Sequence, residues 1–104
     1  MFKDHNDMNE LKERLASLLH KAGELDPSAI PDAKKKIPVW KLESAPVRIK
    51  NMMDNAFGVE TIWDLVHVPH GKFLQYRCFT NSRARMSELV AAVEEAIKLL
   101  NNKF

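Results

Sequence analysis

One cysteine, three glycines and no long apolar run are the scarcities that first narrow this 104-residue chain. With Cys78 alone no intrachain disulfide can form, which suits a reducing compartment. No run of 18 apolar residues is present and no charged-then-apolar leader opens the sequence. Membrane spanning and secretion are therefore not expected, and the expected location is cytoplasmic. Few glycines, five prolines and long apolar periodicities favour an all-helical chain. Catalytic and metal constellations are also missing. Cys78 has no neighbouring motif to activate a nucleophile, Asp64 suits a helix cap, and Glu94 and Glu95 are expected on the solvent side of the last helix. His67, His70 and Cys78 make a poor metal set, because Pro69 interrupts the histidine pair and no good fourth ligand stands nearby. Neither an enzyme nor a cofactor is expected.

What the chain does have is unevenly placed charge. Residues 1–33 carry 4 Lys/Arg and 7 Asp/Glu, net −3, whereas residues 34–104 carry 12 and 7, net +5. A basic excess confined to the C-terminal part suits contact with a polyanion, although it equally suits a solvated face. The division also matches the organisation: an N-terminal helix and connector over 1–33, then a helical domain over 34–104, within a length that supports one modest core.

Met8, Leu11, Leu15, Leu18 and Leu19 repeat at helical spacing and predict an amphipathic helix over 7–22. Asp7 and Glu10 have capping-box spacing there, and Gly23 is placed to stop the helix. The stripe is either core or the seam of a homodimer. Pro27, Pro31 and Pro38 then mark a connector with at most one helical turn, followed by an extended segment around Ile37, Val39 and Leu42. Ser44 is expected to cap a helix that buries Val47, Ile49, Met52, Met53 and Ala56 and ends at Gly58. Thr61 caps a short helix that Pro69 breaks, a further helix is expected over 70–77, and Asn81 or Ser82 caps a long one with Met86, Leu89, Val90, Val93, Ile97 and Leu100 as its stripe. Trp40, Trp63 and Phe57 are expected in the core rather than on a base-stacking surface.

Three of these helix starts hold the best-placed cations: SAPVRIKN at 44–51, TIWDLV at 61–66 and NSRARMSEL at 81–89. A helix N-terminus offers unpaired N–H groups and the positive end of the macrodipole, so an Arg or Lys within a turn completes a phosphate site. Arg48, Lys50, Arg83 and Arg85 stand at such places, and no acid occurs between Glu43 and Asp54 or between Asp64 and Glu88. The lysines at 34–36 either brush a backbone or form a solvated linker.

From IPVWKLESAPVRIKN through TIWDLV to FTNSRARMSEL, the chain resembles the C-terminal domain of the bacterial RNA polymerase alpha subunit. That resemblance implies an all-α, compact helix-hairpin-helix domain of four helices, preceded here by an extra N-terminal amphipathic helix, as a stand-alone relative. In that family a Ser-x-x-x-Arg-x-x-Asn helix start and a later basic hairpin grip the minor groove and backbone of A·T-rich DNA. The resemblance therefore implies groove contact by Arg48 and Asn51 and backbone contact by Arg83, Arg85 and Glu88 in the hairpin and helix start, and Lys50 and Ser82 complete the expected DNA-binding set. It implies a protein contact at Glu43. The family's hairpin glycine falls near Ser82, and Trp63 stands where the family has a small residue. DNA is thus the expected partner, with RNA polymerase or a transcription regulator the alternative for a protein-interaction module.

Overall fold

Apolar side chains at every third or fourth position build the first element. The structure is a computed structural model that describes residues 8–101, and its helix α1 spans Met8–Gly23 with Leu11, Leu15, Leu18 and Ala22 buried. Asp7, the expected cap, lies outside the described residues. Gly23, expected as a left-handed stop, instead lies within α1 and has no positive φ. The chain leaves the helix by two tight bonds that need no left-handed residue, from Glu24 N–H to Lys21 O at 3.0 Å and from Leu25 N–H to Ala22 O at 3.1 Å.

The proline-rich connector holds two short turns where at most one was expected. Asp26 accepts from Ser28 N–H at 3.0 Å and starts a 3-10 turn, Pro27–Ala29; Pro31 then leads into α2, Asp32–Lys35. Of the extended segment expected around Ile37, Val39 and Leu42, only the part up to Val39 runs beside 60–62, the rest being a turn. Val39 N–H donates to Glu60 O at 3.0 Å and Ile62 N–H to Ile37 O at 2.8 Å, around a single antiparallel bridge between Pro38 and Thr61. A 3-10 turn, Val39–Lys41, follows, its Val39 and the succeeding Leu42 buried.

Helix α3 spans Val47–Phe57 and buries Ile49 and Met53; Val47 and Ala56, expected inside, are exposed. Gly58 ends it at φ 65, a conformation in which a Cβ would be strained. Helix α4, Ile62–Val66, starts with a full capping box: Thr61 Oγ1 accepts from Asp64 N–H at 3.1 Å while the Asp64 carboxylate accepts from Thr61 N–H at 3.4 Å. The single helix expected over 70–77 is two, α5 at His70–Leu74 and α6 at Arg77–Thr80. Packing explains the break. Phe73 and Phe79 are both fully buried with ring centroids 6.0 Å apart, and both meet Phe57, at 4.9 and 6.2 Å. A continuous helix would separate the two residues by about 9 Å along its axis.

Helix α7, Arg83–Asn101, is the hub. Met86, Leu89, Val90, Val93, Ala96 and Leu100 are buried, and α1, α4 and α6 all pack against it, α1 along the greatest extent. Leu11, Leu15 and Leu18 of the α1 stripe serve as core, with Met8 and Leu19 half-buried against it. All regular elements among the described residues are helical, an all-α arrangement, and no described helix is long and apolar enough to cross a membrane.

Candidate nucleic-acid interface

The start of α3 is set from outside the helix. Pro46, in extended conformation at φ −69 and ψ 163, makes no side-chain cap, and its carbonyl accepts from Ile49 N–H at 3.0 Å and Lys50 N–H at 3.1 Å. Ser44 is not the cap that sequence suggested, because Pro46 occupies that position. The Ser44 hydroxyl instead donates to Glu95 Oε1 at 2.6 Å and lies 3.2 Å from the Ala91 carbonyl. Glu95 also accepts from Ser44 N–H at 2.9 Å and, through Oε2, from Glu43 N–H at 3.0 Å. One carboxylate on α7 thus holds the loop that enters α3. Partial burial works to raise the Glu95 pKa, but the Ser44 hydroxyl, the Ser44 and Glu43 N–H groups and the nearby Lys50 charge outweigh it and hold the acid below the ordinary glutamate range.

With that loop fixed, Arg48 reaches α7. Its Nη2 lies 2.8 Å from Glu88 Oε2, with the two side chains 54% and 26% exposed. Glu88 Oε1 is buried without a hydrogen-bond partner. Asn51 follows Arg48 by one turn of α3 and is exposed. Arg85 precedes Glu88 by one turn of α7, and Ser82 precedes Arg85 by another three residues, so the three form one row along the helix. Ser82, and not Asn81, caps α7: its Oγ accepts from Arg85 N–H at 3.2 Å. The fold therefore brings Arg48 onto Glu88, with Arg85 and Ser82 farther toward the start of α7 in the same row and Asn51 one turn along α3. Arg83 is exposed at the first position of α7.

Lys50 points elsewhere. It sits two positions from Arg48, so the two do not share a face. Its ammonium donates to the Trp40 carbonyl at 3.0 Å and lies 6.0 Å from the Trp40 ring centroid. Trp40 itself is 52% exposed, contrary to its expected place in the core, because the neighbouring Val39 and Leu42 take the buried positions of that turn. Glu43 is exposed, with its backbone N–H on Glu95.

Two further expectations change. The sequence has no acid near Arg48 and Lys50, but the fold supplies one to each from α7, Glu88 to Arg48 and Glu95 in the neighbourhood of Lys50. Glu94 and Glu95 are not on a free solvent side: both are half-buried, Glu94 pairing with Arg14 of α1 and Glu95 clamping the loop. Sequence offered one signal for Glu95, its position seven residues after Glu88, which aligns the two carboxylates along α7.

His67 packs on Trp63 of α4. The His67 ring is 4.3 Å from the Trp63 ring and its Nδ1 is 2.7 Å from the Trp63 carbonyl. Among the described residues no three or more His, Cys, Asp or Glu side chains gather as a metal site. Cys78 is exposed on α6. In comparisons with protein-family models, with curated proteins and with solved structures, the chain gives no significant match to any.

Proposed function

We propose that this chain is a small, non-catalytic DNA-binding module, associated with transcription, that contacts the minor groove and phosphate backbone of A·T-rich duplex. The observation that carries this reading is the Arg48–Glu88 contact, which joins the starts of α3 and α7 in one half-exposed cluster. In the proposed arrangement α4, α5 and the turn from α6 into α7 form the helix-hairpin-helix element, and Arg48 enters the groove with Asn51 beside it.

The pairing with Glu88 has two opposed effects. It lowers the net positive field at the groove-facing surface, which weakens long-range attraction. It also holds one edge of a guanidinium that has five N–H donors, so less side-chain freedom is lost when the remaining donors meet DNA. A narrow A·T minor groove, with its enhanced negative potential, favours an arginine presented in this way. Ser82, Arg83 and Arg85 lie at the start of a 19-residue helix with no acid in its first turn, which suits a backbone phosphate. Titration of an A·T-rich duplex with the wild type and Arg48→Ala at low salt tests the reading. Binding that Arg48→Ala weakens agrees with it; no binding, or binding unchanged by the substitution, refutes it.

A second reading, a module docking on RNA polymerase or a transcription regulator, is favoured by a different observation. Trp40 and Val47 are exposed at 52% and 62% beside the loop that carries Glu43. Exposed large apolar side chains suit a protein partner better than a phosphate backbone.

A further inference from the structure

We propose that Glu95 is the positioning residue of the DNA-contacting surface: by clamping the 43–44 backbone to α7 it fixes where α3 begins and so where Arg48 meets Glu88. This inference rests on the DNA-binding reading for its consequence, but its structural content stands on its own geometry.

Three donors, Glu43 N–H, Ser44 N–H and the Ser44 hydroxyl, converge on one carboxylate more than fifty residues away in sequence, at 3.0, 2.9 and 2.6 Å. Bonds to an ionised acceptor are about twice as strong as neutral ones. Between this clamp and Arg48 lie only Ala45, which is buried, Pro46, whose ring fixes φ, and Val47. Little freedom therefore remains to absorb a displacement of the loop. Glu88 and Glu95 lie two turns apart on α7, so one rigid helix holds both the anchor of the loop and the partner of the arginine. Without Glu95, the two N–H groups turn to water, the Ser44 hydroxyl keeps only the Ala91 carbonyl at 3.2 Å, and the α3 start is held to α7 by that one neutral bond. Arg48 then loses its fixed approach, while Glu95 itself touches no DNA.

A double-mutant cycle on duplex affinity tests this, using Glu95→Ala, Arg48→Ala and the pair. Glu95→Ala is expected to weaken binding about tenfold in the wild-type background and less than about twofold when Arg48 is already alanine, a coupling of the size seen between residues acting as a unit. Equal losses in both backgrounds would overturn the proposal, since a general loss of stability acts whether or not Arg48 is present. Ser44→Ala keeps both N–H donors and removes only the hydroxyl; it is expected to remain folded and to weaken binding in the same direction by a smaller factor. An unchanged affinity there would also count against the clamp. Independently of DNA, the Arg48 Nε–H resonance of the free protein is expected to move in both Glu95→Ala and Ser44→Ala. A resonance that stays in place would overturn the positioning role even if the chain binds no duplex, whereas absent binding with a moved resonance would refute only the functional reading.

Discussion

Arg48 and Glu88 stand forty residues apart in sequence and 2.8 Å apart in the fold. The pair is partly exposed, so its own contribution to stability is small, on the order of 0.2–1 kcal/mol. Arg48→Ala should accordingly leave the thermal midpoint within a few degrees of wild type, measured by circular dichroism, while lowering duplex affinity. A large fall in stability would place Arg48 in the scaffold instead.

Acid should loosen the loop at Glu95. Its folded-state pKa lies below the unfolded value of about 4.3, chiefly because Ser44 and Glu43 donate to the charged form against an opposing burial effect. A group with a depressed pKa contributes stability that is fully present above its unfolded pKa and is lost as pH falls through the folded one. The charged groups around it are Lys50 on α3, Glu43 in the loop, and Glu94 and Lys98 on α7. Urea midpoints of wild type and Glu95→Gln should differ at pH 7 and converge as pH falls below the unfolded value and on through the depressed folded one. A gap that stays constant from pH 7 down through the acid range would show that ionisation of Glu95 is not what holds the loop.

Leu15 is fully buried between α1 and the rest of the core, so Leu15→Ala should cost about 2–5 kcal/mol. Denaturant unfolding measures this directly. A cost below about 1 kcal/mol would mean that α1 is peripheral to the core.

Gly58 has open space around its Cβ position but a φ of +65. Gly58→Ala should therefore cost about 1–2 kcal/mol through backbone strain alone. Thr61→Ala, which removes the capping box of α4, should cost about 0.5–2 kcal/mol. Both values are read from urea unfolding, and neutral effects would contradict the turn and cap assignments.

Local chemistry made the scaffold legible. The leucines of α1, the stop at Gly58, the Thr61–Asp64 box and the stripe of α7 each depend on neighbours within a turn or two, so spacing alone locates them. The α5–α6 break was hidden because no Gly or Pro marks it; the demand that Phe73 and Phe79 both reach Phe57 is a tertiary one. Ser44 followed by Pro46 reads as a cap as well as it reads as anything else, and its actual partner is 51 residues away. Trp40 is exposed because Val39 and Leu42 take the buried places of its turn, and the acids facing Arg48 and Lys50 were set by packing between α3 and α7. The residue types of the candidate site were thus legible in sequence, while the pairing of Arg48 with Glu88, the turning away of Lys50 and the balance of charge were not.

Amide chemical-shift mapping of the labelled wild-type chain, titrated with an A·T-rich duplex at low salt, tests the proposed surface most directly. Binding through the α3 and α7 starts predicts that Arg48, Asn51 and the stretch from Ser82 to Glu88 shift together, with the Arg48→Ala variant losing both sets. Shifts confined to Trp40, Glu43 and Val47, or none at all, would contradict it.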